Sequence, residues 1–201
     1  YALLLAETQR AAEAEKLFRE TLRVQEPLAQ EHPELAEYQS NLALTYSNFA
    51  NLMVGQKRHS EAVELFKQSI ALQQALVKAN PNQVAYAIEL GKVFGTVGRY
   101  LSDQSQSRNA GLWYDQAVAI LGGVLERQPN HTLAKSLLRN AYWGRALALG
   151  AQDKHDAALT DWEKAIQLDD GQFRPTFLLY RASALARKGE HARAAEGVDE
   201  I

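Results

Sequence analysis

The chain has 201 residues, 46% of them hydrophobic and 23% charged, the balance of an ordinary globular protein. A formal net charge of −2 supplies no electrostatic pull toward nucleic acid or an anionic membrane, and neither is expected as a partner. The chain has no cysteine, which excludes disulfides, thiolate metal sites and thiol nucleophiles, and no apolar run approaches the roughly 18 residues of a spanning helix.

Residues 1–6 read as the last turns of a helix that begins upstream. With no initiating Met, this start is expected to lie inside a longer protein. A helix is predicted from about Ala11 to Glu31, with a kink or break near Glu26 because Pro27 removes a backbone donor and crowds the turn before it. From Tyr38 to Pro81 come two helical patterns separated by the polar break GQKRHS. Tyr38, Leu42, Tyr46, Phe49, Ala50 and Met53 mark one apolar face; Ala62, Val63, Phe66, Ile70, Leu76 and Val77 mark the other. Ser60 is the expected N-cap of the second helix. Another pair runs to Gln128, with DQSQSR as its turn, and Asn82 and Asn130 are expected to cap the helices that follow the prolines. In the next pair Asp153 is the expected cap, and the second helix is expected to stop at about Leu168, before DDGQF. Pro175 suits a first helical turn, and Gly189 marks the last inter-helix turn.

These pairs are copies. Ala14, Ala62, Ala110 and Ala158 stand 48 residues apart, as do Phe18, Phe66, Tyr114 and Trp162, and Leu22, Ile70, Val118 and Ile166. Tyr46, Phe94 and Tyr142 keep the same phase, as do Leu42, Leu90 and Leu138, and Pro33, Pro81 and Pro129. The last copy is shorter: Ala158 to Ala194 is 36. One hairpin cannot bury its apolar face alone, and a fixed period of this size signals stacked supersecondary units.

Ala62, Phe66 and Pro81, then Ala110, Tyr114 and Pro129, reproduce the small, aromatic and proline columns of the tetratricopeptide repeat (TPR). Tyr46, Phe49, Ala50 and Met53 are similar to its upstream columns. The chain therefore resembles a TPR protein, with helices about two turns longer than the usual repeat of about 34 residues. Long repeats of this kind look like those of kinesin light chain and of the repeat-rich tails of large bacterial (planctomycete-type) serine/threonine kinases. The resemblance implies an all-α, right-handed solenoid of antiparallel helix pairs, with roughly nine or ten helices in one array over 1–201. Its repeats would span about 1–33, 34–81, 82–129, 130–170 and 171–201, the outermost ones incomplete. It also implies that first helices line a concave surface.

Carried over residue by residue, that surface presents Leu44, Ser47 and Asn51, then Lys92, Gly95 and Arg99. It continues with Asn140, Trp143 and Leu147, and ends with Thr176, Leu179 and Ser183. Trp143 shares its column with Ser47, Gly95 and Leu179, a variability that suggests a face not packed against the next helix. Trp and Arg are the types most enriched as interface anchors. Some TPRs clamp a terminal carboxylate with Lys, Asn and Arg. Asn48, Asn51, Lys92 and Arg99 supply those types, but Thr96 stands where an Asn is needed, so no clamp is predicted. Arg145 and Arg181 depart from the family's Leu; they either disturb packing or bring a charge to the groove edge.

Other motifs carry little chemistry. GKVFGTVG lacks the glycine and the Ser/Thr of a phosphate loop. Gly98 shares a column with Ala50, Ala146 and Ala182, where small size lets helices approach. The five histidines form no metal-ligand spacing and read as surface turn residues. Trp113 and Trp162 fall in core columns. No nucleophile context is present, so no catalytic residue, cofactor or metal is expected. The function implied is a non-catalytic scaffold that binds a peptide or protein segment in the concave groove, as part of a larger, possibly kinase, protein in the cytoplasm. The alternative is self-association, with a homodimer formed through exposed terminal repeats.

Overall fold

A computed structural model describes residues 10–199. Among them are nine helices and no strand: α1 Ala11–Glu31, α2 Ala36–Gly55, α3 His59–Ala79, α4 Val84–Asp103, α5 Ser107–Arg127, α6 Thr132–Gly150, α7 His155–Leu168, α8 Arg174–Arg187 and α9 His191–Asp199. The upstream helix expected over 1–6 lies outside the described residues. The chain forms two compact units, the first ending at Val93 and the second beginning at Phe94, so that α4 contributes to both.

In the first unit α1 packs on α2 and α2 on α3. The pairs are antiparallel: the buried Ser69 hydroxyl of α3 donates to the carbonyl of Ala43 on α2 (2.8 Å), and the two residues lie at similar distances from the intervening turn. In the second unit α5, α6, α7, α8 and α9 each pack on the next. The ion pair between Arg145 on α6 and Asp161 on α7, again equidistant from their turn, shows the same antiparallel geometry.

The alanine column explains the phase. Ala14, Ala62, Ala110, Ala158 and Ala194 are all buried, and each is the fourth residue of its helix. Each donates its N–H to the carbonyl of the residue just before that helix, closing the first turn. Phe18, Phe66, Tyr114 and Trp162, one turn later, are buried in the same way. Val118 and Ile166 in the aliphatic column are half-buried.

The hairpin turns share one construction. Lys57, Ser105, Asp153 and Gly189 all have positive φ (61°, 58°, 58° and 86°). Around the first, Lys57 N–H donates to Val54 O and Arg58 N–H to Met53 O, the paired bonds of a Schellman motif. The same two bonds recur at Ser105 and Gln106, at Asp153 and Lys154, and at Gly189 and Glu190. Because the residue after the left-handed one closes the first helix, it also becomes the N-cap of the second. That overturns two expected caps: Arg58, not Ser60, precedes α3, and Lys154, not Asp153, precedes α7. After the proline turns, α4 begins at Val84, one residue too late for Asn82 to precede it directly. The cap of α6 is His131 rather than Asn130; its Nδ1 accepts from Ala134 N–H (3.3 Å).

Pro27 does not break α1, which runs through to Glu31. The proline is exposed and sits close enough to the end that one missing bond is tolerated, and His32 N–H closes the last turn on Leu28 O (3.1 Å). Residues His32, Asn80 and Gln128, each followed by proline, leave the helical region at φ −127°, −129° and −134°, as steric pressure from the following ring requires. α7 ends at Leu168, Pro175 lies in the first turn of α8, and Gly189 is in the last hairpin turn, all as expected.

Candidate functional site

The predicted stripe lies on first helices, and the two units contribute separately. In the first unit Leu44, Asn51 and Lys92 are exposed, with Leu44 40% accessible, while Ser47 is buried. Lys92 pairs with Glu89 one turn back (3.3 Å). In the second unit Arg99, Asn140, Leu147 and Leu179 are exposed, the two leucines by 41% and 54%.

Trp143 corrects its expectation: it does pack against the next helix. Its ring meets Phe177 of α8 edge-on (5.4 Å between centroids) and lies 5.9 Å from Phe173, packed against the buried cluster that holds Trp162, Phe177 and Leu185. Column variability misled because Ser47 and Gly95 have no such aromatic pair to meet. The rest of the ring is only partly accessible, its Nε1 buried, and Leu147 stands exposed one turn along α6. Trp162 is core, stacked on Tyr180 (5.1 Å, 5°), whereas Trp113 is only half-buried, against Phe94.

Close approach between layers is set by glycine. Tyr114 of α5 lies with its ring over Gly98 of α4 and Gly144 of α6; a Cβ would sit 2.9 Å from the ring at Gly98 and 2.2 Å from it at Gly144. Gly98 is thus the packing residue the sequence suggested. Burial pushes the Tyr114 phenol above its ordinary pKa. Tyr46 is shifted the same way by burial and by Glu26, whose carboxylate accepts its hydroxyl (2.7 Å).

Arg145 does not reach toward the stripe. Its guanidinium forks onto the buried Asp161 of α7 (Nε–Oδ2 and Nη2–Oδ1 both 2.7 Å) and bonds Asp115 of α5 at 2.8 Å. The Asp161 bond, chiefly, raises the Arg145 pKa further above its ordinary value. The signal was present in the sequence: Phe49 with Leu65 and Val97 with Trp113 occupy the same two columns, and both become charged together in one repeat. A second buried pair went unnoticed. Arg139 Nη1 bonds Asp169 at 3.0 Å and its Cζ lies 4.6 Å over the Phe173 ring, while Asp169 accepts from the N–H groups of Gly171 and Phe173. This network holds the loop between α7 and α8.

Two side chains of the histidine set are not surface turn residues. His131 caps α6, and His155 is largely enclosed at the start of α7, its Nε2 3.8 Å from Asp153. Among the described residues no cluster of three or more His, Asp or Glu is arranged to hold a metal ion, and no helix is long and apolar enough to cross a membrane.

A cavity of about 440 Å³ opens between the second helices of the second unit, α5 and α7, over the end of α6. Arg108, Gly111, Leu112 and Asp115 form one wall, Ala157, Thr160, Asp161 and Lys164 the other, and Arg145, Leu149, Gln152 and Lys154 the floor and one end.

Residues 36–82, one complete helix pair, match the tetratricopeptide repeat family. Solved structures extend the likeness to the whole chain. YrrB, described as a TPR protein with an unusual peptide-binding site, covers 98% of this chain with 79% of its own length, at TM-score 0.62 and 18% identity. This is the tetratricopeptide repeat fold. A Podosopora anserina putative kinesin light chain with nearly identical TPR-like repeats aligns at TM-score 0.62 and 22% identity over 98% of this chain and 88% of that one. BtubC (BKLC) from P. vanneervenii aligns at 0.63 and 15%, over 99% and 74%. At these identities each shared TPR architecture speaks for fold alone. No curated relative matches the chain in sequence.

Proposed function

We propose that this TPR chain is a non-catalytic scaffold that holds a peptide or protein segment along its first-helix face. The observation that carries the reading is the pairing of Leu147 and Leu179, exposed on successive first helices, with an indole at Trp143 fixed by Phe173 and Phe177. A preset aromatic plate flanked by exposed leucines loses little side-chain entropy when a partner covers it. Asn140 and Arg99 would supply hydrogen bonds at its edges, and Leu44, Asn51 and Lys92 continue the same column pattern in the first unit. A peptide-binding site in a structural neighbour, YrrB, agrees with this reading. One array of repeats over the whole chain is part of it, supported by the 48-residue register from Ala14 to Ala158 and the shorter copy that follows at Ala194. The likeness to kinase tails rests on repeat length and pattern.

The test is selection of displayed peptides on the intact chain, followed by affinity measurements on Leu147→Asp and Leu179→Asp. Both residues are exposed, so folding should persist while binding falls at least tenfold. Selected peptides that bind the two variants and the wild type equally would refute the site. Light scattering settles the self-association alternative: a dimer that the same substitutions dissociate would make the stripe a contact between copies.

A further inference from the structure

The cavity between α5 and α7 has a filled counterpart in the first unit. Two periods earlier, the places of Gly111, Lys154 and Ala157 are held by Glu15, Arg58 and Glu61. There Arg58 lies between the two glutamates, 2.5 Å from each, and Arg19 joins them at 2.7 and 3.5 Å. In the second unit both carboxylates are replaced by residues without a side-chain acceptor, and a cavity stands in their place. The cation remains. Lys154 reaches only the amide oxygen of Gln152 (3.0 Å), and among the described residues no carboxylate pairs with it.

The other cations are rearranged: Lys16 and Arg19 give way to Leu112 and Asp115, and two new cations appear nearby. Arg108 and Lys164 line the cavity where the first unit has Ala12 and Gln68. Lys164 lies over the Tyr142 ring (5.2 Å) rather than on a carboxylate. The two acids in the lining, Asp115 and Asp161, are both engaged by Arg145. Leu112 at the edge is 59% exposed and offers an apolar surface to a side-chain stem.

We infer that this cavity receives two carboxylates of an acidic peptide segment from a partner protein, seated where Glu15 and Glu61 sit in the first unit. The volume is that of a site for a few side chains, and with both lining acids held by Arg145, the cations Arg108, Lys154 and Lys164 favour carboxylates from outside. The lining comes mainly from the second helices α5 and α7, with Arg145 and Leu149 of α6 beneath, and contains none of the stripe residues, so either reading stands without the other.

The experiment is titration calorimetry of the intact chain, at low salt, with capped hexaglutamate, capped hexaglutamine and glutarate. Amide shifts in the ¹⁵N–¹H spectrum locate the binding. Hexaglutamate should bind at least tenfold more tightly than hexaglutamine, shifting amides at 108–115 and 152–164. Lys154→Gln and Arg108→Gln should each weaken it severalfold. The double variant Gly111→Glu/Ala157→Glu restores the internal acids; it should abolish binding and raise the unfolding midpoint. Lys154→Gln lies on an exposed turn and carries the test should the double variant fail to fold. Undetectable hexaglutamate binding, equal binding by Lys154→Gln, or shifts confined to other surfaces would overturn the proposal. Tighter binding of glutarate than of the peptide would assign the cavity to a free dicarboxylate and overturn the peptide occupant.

Discussion

Gly144→Ala adds one methyl group to the face of α6 that meets Tyr114. The new Cβ would lie 2.2 Å from the ring Cζ and 2.5 Å from the hydroxyl oxygen, more than 1 Å inside ordinary contact. The ring cannot simply retreat: Gly98 already sits close on α4, with ring atoms 2.9–3.0 Å from its own Cβ position, and Tyr114 is buried. Relief must come from an off-rotamer ring or separation of the helices, at about 1–3 kcal/mol for overpacking. Against this, alanine gains about 0.5–1 kcal/mol over glycine in a helix interior. The net expectation is destabilisation of about 1–2 kcal/mol, read as a lower urea midpoint by circular dichroism with unchanged m. Gly123→Ala on α5, where a Cβ meets nothing within 4 Å, should shift the midpoint the other way by about 0.5–1 kcal/mol. In a Tyr114→Leu background the Gly144→Ala effect should become stabilising. A Gly144→Ala midpoint that rises as Gly123→Ala does would refute the ring-over-glycine account.

Lys57→Gly, Ser105→Gly and Asp153→Gly should each stabilise the chain by about 0.5–1 kcal/mol, because relief of left-handed strain exceeds the added unfolded-state entropy. Gly189→Ala should cost about 1 kcal/mol, and thermal melts of the four variants test this. Arg145→Ala leaves Asp161 buried and unpaired and should cost about 3–5 kcal/mol, whereas Arg145→Leu with Asp161→Leu, which restores the apolar columns of the other repeats, should recover most of it in urea unfolding. The hydrogen bond from Arg58, above all, holds the carboxyls of Glu15 and Glu61 below their ordinary 4.5. A depressed folded-state pKa contributes stability present above 4.5 and lost as pH falls through the folded value. The stability gap between wild type and Arg58→Gln should therefore be widest above 4.5 and shrink as pH falls below it in acid titration; a constant gap would refute it.

The architecture was legible because burial repeats. Alanine and aromatic columns carry the same constraint four times and the proline column three times, so the register announces the stack. The caps were misread because Ser60 and Asp153 are good capping residues in isolation, while the turn geometry, visible only in backbone dihedrals, assigns that position to their neighbours. Left-handed positions held by Lys, Ser and Asp give little outward sign; only Gly189 does. Trp143 was misplaced because its aromatic partners, Phe173 and Phe177, lie in the short last repeat, outside the strict period. Arg145 and Asp161 were readable together but not singly, since each looks like an exception until both columns are compared. The cavity is written in the sequence only as a loss of Glu15 and Glu61 equivalents, and a loss points nowhere until the retained cation is located.

Where the repeat shortens, the hairpin turns stay intact, and α7 and α8 each have 14 residues against 19 in α6. At the end away from their shared turn α6 outreaches α7 by about one and a half turns. Arg139 stands at that step, and the Asp169–Phe173 loop is bracketed onto it by ion pair and ring. A helix pair can shorten abruptly in this way, provided that one basic residue is placed where the longer helix would otherwise lie bare.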